Sequence, residues 1–228
     1  MSCGQCEGIE QLFDAKRARS QLEKLRRKGA DRTTRMLIED VQTVIRELHE
    51  GRPMALLLDV GAGVGAIHHA LLDRDVERAV HVDASTAYLT VAREETERRG
   101  HAARVDFVQG DLVDLADGMP AADVVTLDRV ICCYDDMRQL VSRSGEKARF
   151  VYGAVYPREA WWTRVFVAGN NLFFRLKRSL FRTFLHPPRE INAVLMEQGL
   201  RRHSVRRTLA WEVAVYTRSS QGAGIVTD

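Results

Sequence analysis

Cysteine, proline and aromatic residues are all scarce in this chain, at four, five and 7% of its 228 residues. Four cysteines, Cys3, Cys6, Cys132 and Cys133, do not describe a disulfide scaffold in a chain of this size, and their thiols are expected to be reduced. Long apolar runs are missing too. Stretches such as Met54 to Val60 stop far below the ~20 residues that a spanning helix needs, so no transmembrane segment is expected. The first residues, Met1-Ser-Cys-Gly-Gln-Cys-Glu7, lack the basic start and apolar centre of a secretory signal, and the expected location is the cytoplasm. With no repeat period and no low-complexity tract, disordered, collagenous and solenoid classes are excluded. What is present, 45% hydrophobic and 29% charged residues, suits one compact domain with a single sizeable core and at most a helical accessory segment.

The net charge of +3 hides a gradient: +1 over residues 1–50, −5 over 51–160 and +7 over 161–228, where eleven Lys and Arg face four Asp and Glu. A basic tail of this size attracts anions in general but selects no partner, and a solvated face is its ordinary explanation.

Residues 9–28 have helical spacing and end at Gly29. A second helix is expected from near Asp31, with Leu37, Val41, Val44, Ile45 and Leu48 on one stripe and Gly51-Arg-Pro53 as its stop. The pattern then turns to short apolar runs alternating with helices: Met54 to Val60, Arg78 to Asp83, Arg104 to Gln109, Asp123 to Leu127 and Phe150 to Val155. Ser85 to Arg99 is helical, with Ser85 as N-cap and Gly100 as stop. Repeated strand–helix units predict an α/β fold with a doubly wound, mainly parallel sheet. After a helical insert at about 159–186 and a helix over Glu190 to Gln198, two strands, Leu200 to Leu209 and Trp211 to Arg218, are close enough to form an antiparallel C-terminal hairpin at the sheet edge, for seven strands in all. The expected division is a helical lid over residues 1–52 and a Rossmann-like domain over 53–228.

The most informative stretch is Leu57-Leu-Asp59-Val-Gly61-Ala-Gly63-Val-Gly65-Ala-Ile67, a strand entering a glycine loop and then a helix. Gly61-x-Gly63-x-x-Ala66 satisfies the dinucleotide fingerprint, so a nicotinamide-dependent oxidoreductase is one reading. Asp59 argues against it, because a carboxylate beside the loop repels a pyrophosphate but suits the cationic amino group and sulfonium of S-adenosylmethionine. Asp83 ends the second strand, 22 positions after Gly61, where an acid can accept hydrogen bonds from two ribose hydroxyls. Val108-Gln-Gly-Asp111-Leu112 ends the third strand, and Ala122-Asp-Val-Val-Thr-Leu-Asp128 forms the fourth.

In these four motifs, over residues 54–157, the chain resembles the class I S-adenosylmethionine-dependent methyltransferases. The resemblance implies a cofactor site formed by Asp59, Gly61, Gly63, Gly65, Asp83, Ala84, Asp111 and Leu112, with Asp111 accepting the adenine amino group. It places the fourth motif beside the transferred methyl and the acceptor, an unidentified small molecule. The N-terminal helices, as is common in the family, would cover the pocket and exclude water.

Acceptor-side candidates follow the fourth strand. Asp128 and Tyr134 could position or deprotonate an acceptor, and Arg129 could hold an anion; their structural alternatives are a cofactor-positioning acid, a packing residue and an ion pair. Arg158 is a second anion-binding candidate. The insert, with Trp161-Trp162 and a stripe of Phe173, Leu176, Leu180 and Phe184, is read as packed over the sheet to shape the acceptor site, with a peripheral membrane contact as the alternative. Its layout also resembles the magnesium-protoporphyrin O-methyltransferases, which would imply a large planar acid as acceptor and bring His186 toward the pocket. Cys3-x-x-Cys6 is half of a zinc motif, but the adjacent Cys132-Cys133 pair poorly around one tetrahedral ion, so no metal is expected. His68-His69 reads as structural. A non-catalytic cofactor- or nucleic-acid-binding module is the remaining alternative; nothing in the chain has the aromatic and basic interleave of RNA recognition, and no nucleic-acid partner is expected.

Overall fold

The computed structural model describes residues 3–50 and 52–218, with side chains from Gly8 onward. Seven strands form one sheet in the order β3-β2-β1-β4-β5-β7-β6. They are β1 (Met54–Val60), β2 (Val76–Asp83), β3 (Val105–Gln109), β4 (Ala122–Asp128), β5 (Ala148–Pro157), β6 (Leu200–Arg207) and β7 (Trp211–Arg218). The first five run parallel, and β7 enters antiparallel between β5 and β6. The expected mainly parallel sheet with a closing hairpin is the one observed. Thr208-Leu209-Ala210 separate the hairpin strands, where the expected strand ends left only Ala210 between them.

Both faces of the sheet are covered, and strand alternation divides the core accordingly. On one face Leu58, Val125 and Tyr152 pack with α7 (Met137–Lys147) and α9 (Pro188–Glu197). On the other, Leu57, Val151 and Val155 pack with α3 (Arg32–His49) and α4 (Ala66–Leu72).

The N-terminal helices differ from expectation in two ways. The single helix expected over 9–28 is two, α1 (Cys3–Leu12) and α2 (Ala15–Lys28), because Asp14 caps α2 by accepting the Arg17 backbone N–H at 2.8 Å. Gly29 ends α2 as expected, at φ 73°. The apolar stripe of α3 packs on the sheet itself: Leu37, Val41, Val44 and Ile45 are buried against β1, β5 and β7. Thus α3 is a core helix, and the boundary expected near residue 52 separates elements that share one core. Gly51, part of the expected stop, lies outside the described residues.

The remaining helices are α5 (Thr86–Arg98), α6 (Leu112–Leu115) and α8 (Trp161–Leu176). Ser85 caps α5 as expected, accepting the Tyr88 N–H at 3.3 Å. The insert helix is shorter than its sequence pattern. Arg178 takes a left-handed φ of 55° in a turn at 177–178, and the Asn171 amide pairs with the backbone of Thr183, so residues 179–187 fold back as irregular chain. Leu180 and Phe184 therefore leave the helical stripe expected to include them. No helix among the described residues is long and apolar enough to cross a membrane.

Candidate functional site

Parallel strands deliver their carboxyl ends to one edge, and a crevice opens where chain order reverses between β1 and β4. A cavity of about 480 Å³ lies there, bounded by the ends of β1, β2 and β4, the glycine loop, α2, the start of α3 and the segment after α8. Seven of the eight expected cofactor residues, all but Gly65, line it together with Asp128, Arg129 and Tyr134.

Asp59 is 1% exposed. Its Oδ1 accepts from Thr126 Oγ1 at 2.7 Å, while Oδ2 has no hydrogen-bond partner and lies 3.4 Å from His68 Nδ1. A buried carboxylate oxygen with unused accepting capacity, on a cavity wall, fits a cationic ligand group. Behind the glycine loop His68, His69, His81 and His101 are all buried, and His69 bonds His101 through their Nδ1 atoms at 3.1 Å. Burial holds His69 down to about 2, with His68 adding to the effect, so His69 is neutral. The structural reading of His68-His69 matches this packing.

Asp83 accepts the Gly63 N–H on Oδ2 and the Ser85 N–H on Oδ1, both at 2.9 Å, so one carboxylate ties the glycine loop to the start of α5. Each oxygen retains a further lone pair for a ligand hydroxyl. Burial raises the Asp83 carboxyl to about 6, against the lowering effect of those two N–H groups. The folded chain therefore takes up a proton at higher pH than the unfolded chain. This contribution to stability is complete below the unfolded value and lost as pH rises through the folded one. Relative to Asp83→Asn, the ligand-free protein is expected to lose melting temperature between about pH 5 and about pH 7. Identical pH dependence of the two proteins would show that Asp83 titrates normally.

Asp111 caps α6 by accepting the Val113 N–H at 3.0 Å, and its Oδ2 accepts the Tyr134 hydroxyl at 2.9 Å. Tyr134, expected on the acceptor side, is thus joined to the residue expected to meet adenine. Burial, followed by this bond, pushes its phenol well above the ordinary range.

Asp128 and Arg129 are drawn into a network with the N-terminal helices. Asp128 accepts from Thr34 Oγ1 at 2.5 Å and from Arg129 at 3.0 and 3.1 Å, and Arg129 also reaches Asp31 at 3.2 Å. Arg129 takes a left-handed φ of 62°, and the thiols of Cys132 and Cys133 donate to its carbonyl at 3.4 and 3.5 Å. Of the two readings of Arg129, this is the ion pair. A non-glycine residue in that conformation at a cavity wall is held by its surroundings, as strained site residues are.

Arg158 is outside the cavity lining and donates to the Thr208 carbonyl at 3.0 Å. His186 is outside it as well, donating from Nε2 to the Tyr134 carbonyl at 2.8 Å. The side chains of Cys3 and Cys6 lie outside the described residues, and no cluster of three His, Cys, Asp or Glu with metal geometry occurs among the described ones.

Several residues that line or support the site were not singled out in the sequence. Thr126 is the one hydroxyl in β4, and Thr34 follows the Asp31 start signal; both patterns were visible, but their partners were not. Phe13 and Phe181 meet edge to face at 5.7 Å, bringing α1 against the segment after α8. The Ser85 hydroxyl donates to the Phe13 carbonyl at 2.7 Å, and Glu10 accepts from the Thr86 hydroxyl and N–H. The first helix is thereby fastened over the loop that Asp83 organises.

Residues 58–144 match the family model described as a methyltransferase domain. No curated protein sequence matches the chain. Similar solved structures include magnesium protoporphyrin IX methyltransferase from Synechocystis PCC 6803 with bound SAH, at TM-score 0.66 and 17% identity over 92% of this chain and 98% of that one. An O-methyltransferase family protein from Burkholderia thailandensis gives TM-score 0.65 and 19% identity over 94% of this chain and 64% of that one. Geranyl diphosphate C-methyltransferase from Streptomyces coelicolor A3(2) gives 0.60 and 14% over 79% and 77%. Identities this low speak for the fold. The match to a methyltransferase domain over residues 58–144 favours the methyl-transfer reading of the glycine loop over the nicotinamide one.

Proposed function

We propose that this protein, a class I Rossmann-like S-adenosylmethionine-dependent methyltransferase, methylates a carboxylate oxygen of a large, planar small-molecule acid. The observation that carries this reading is the absence of a ready base: no histidine is among the described residues lining the cavity. Asp128 is engaged by Arg129 and Thr34, the Tyr134 hydroxyl is donated to Asp111, and burial pushes the Tyr88 phenol up to about 12. An amine or phenol acceptor must lose a proton before or during transfer, whereas a carboxylate arrives ionised. The likeness to the Synechocystis enzyme over 92% of this chain supports an acid of that shape.

Bound S-adenosylmethionine supplies an electrophilic methyl carbon. The chain's part is to bind, orient and keep water out. In this reading Asp83 accepts the ribose hydroxyls, Asp111 and Leu112 receive the adenine, Asp59 attracts the amino group, Gly61, Gly63 and Ala84 let backbone approach closely, and Gly65 turns the loop over His68. Asp128 and Arg129 position the acceptor end through their ties to Asp31 and Thr34, and of the lid expected over residues 1–52 only α1 and α2 cover the pocket, α3 belonging to the core. The test is to incubate the purified chain with methyl-labelled cofactor and separate porphyrin carboxylic acids, phenols and amines. Methyl esters release label in mild alkali, and ethers and N-methyl products do not. Alkali-labile product from the acids is expected, and alkali-stable product as the only product would overturn the proposed acceptor.

A further inference from the structure

The helix α8 is turned inside out relative to an ordinary surface helix. Its buried or half-buried positions are Thr163, Val167, Asn170, Asn171 and Phe174, which face the protein. Trp161, Val165, Phe166, Leu172, Phe173 and Leu176 are all exposed, Trp161 by 74% and Leu176 by 75%. At 3.6 residues per turn these six fall on one arc of about 140°. The exposed Leu209 extends the surface, its carbonyl accepting from Trp162 Nε1 at 3.4 Å.

The charge around this arc is mostly positive, the exception being Glu159 just before α8, which pairs with Arg164 at 2.8 Å. Residues 160–189 hold six Arg and Lys and no Asp or Glu. Arg164 and Arg175 flank one side of the arc and Lys177 the other, all exposed. An isologous dimer through this face would set the cationic segment against its own copy, which disfavours a second chain as occupant. A polyanion alone would satisfy the cations and leave the apolar arc in water. A surface with negative headgroups above an apolar layer satisfies both, and paired tryptophans are suited to its boundary. The helix is only 16 residues long and polar on its protein side, so it would lie in the plane of the surface.

We propose that α8 and the adjoining hairpin loop dock this protein on an anionic lipid bilayer. Docking would set the cavity beside the bilayer, because Phe174 of the same helix and Phe181 just after it line the cavity and meet at 5.3 Å. The proposal does not depend on the identity of the acceptor.

The experiment is flotation of the full chain with vesicles of phosphatidylcholine alone and of phosphatidylcholine containing about one third phosphatidylglycerol. Binding to the mixed vesicles, weakened by salt, is expected. Phe166→Ser with Leu176→Ser changes two side chains outside the cavity lining, so cofactor binding and melting temperature should persist while vesicle partition falls by about tenfold or more. No flotation with either vesicle would overturn the proposal. So would an oligomer in sedimentation that the double variant dissociates, or binding to polyuridylate that matches vesicle binding and survives the double substitution.

Discussion

Asp83→Ala is expected to weaken S-adenosylmethionine binding by more than about tenfold in calorimetric titration, since it removes charge-assisted hydrogen bonds of ~1.5–3 kcal/mol. The structure adds a second route to the same loss. Asp83 holds the N–H groups of Gly63 and Ser85, so its removal also frees the glycine loop from α5. Stability should move much less. Two N–H groups lose a partner, at ~1–3 kcal/mol for each that stays out of water, but a carboxylate that burial disfavours at neutral pH is removed as well. Asp83→Asn separates the two routes: its one carbonyl oxygen can keep one N–H, while the ligand-facing charge is lost. Affinity should therefore remain low in Asp83→Asn even where the loop stays ordered. The wild-type protein should also bind more weakly as pH falls through about 6, because the proton taken up by Asp83 removes an acceptor. Unchanged affinity in a folded Asp83→Ala protein would take Asp83 out of the site.

The fold was legible in the sequence wherever one physical signal governed an element. Buried parallel strands are apolar throughout, so β1 is matched residue for residue by Met54 to Val60, and β4 is missed by one residue at each end. Ser85 and Gly29 mark helix ends because a side-chain oxygen and a left-handed backbone are local requirements. The break at Asp14 was missed because a cap inside a continuous helical pattern competes with propensity and wins only through its own bond to Arg17. The role of α3 was missed for a different reason. An apolar stripe states that a helix packs but not on what, and here Gly153 leaves β5 open to Leu37, whose Cδ1 would lie 2.8 Å from a Cβ added there.

The candidate site divides in the same manner. Asp59, the three loop glycines, Asp83 and Asp111 are each tied to a strand end, and the topology brings strand ends together. The residues after β4 are not so constrained. Arg129 and Tyr134 read as acceptor-side groups from position alone, but their partners are Asp31, Thr34 and Asp111, which lie 98, 95 and 23 residues away in the chain. No spacing rule pairs residues at such separations. The insert misled in a further respect: its apolar residues were expected to face the sheet, and most of those on α8 face outward.

Gly65→Ala is expected to damage the fold, and Gly63→Ala to damage the site. Both glycines have left-handed backbone, at φ 84° and 57°, which costs another residue about 1–2 kcal/mol. Beyond that they differ. A Cβ on Gly65 would lie 2.4 Å from Cε1 and 2.6 Å from Nε2 of His68. That ring has no room to retreat, being fully buried with His69 at 4.3 Å and His81 at 5.1 Å between ring centres. Overpacking of this kind adds about 1–3 kcal/mol, so Gly65→Ala should lose roughly 10 °C of melting temperature for a chain of this size. On Gly63 the added carbon meets only the Tyr88 ring, at an ordinary 3.6 Å, and otherwise faces the cavity. Gly63→Ala should therefore lose only a few degrees, at roughly 2–4 °C per kcal/mol. Its affinity for S-adenosylmethionine should nevertheless fall, because the carbon occupies space that the ligand would need. Thermal melting and calorimetric titration of the two variants should rank them in opposite orders. If Gly65→Ala melted no lower than Gly63→Ala, the histidine cluster would not be the rigid floor of the loop, and the reason for glycine at position 65 would have to be sought on the ligand side.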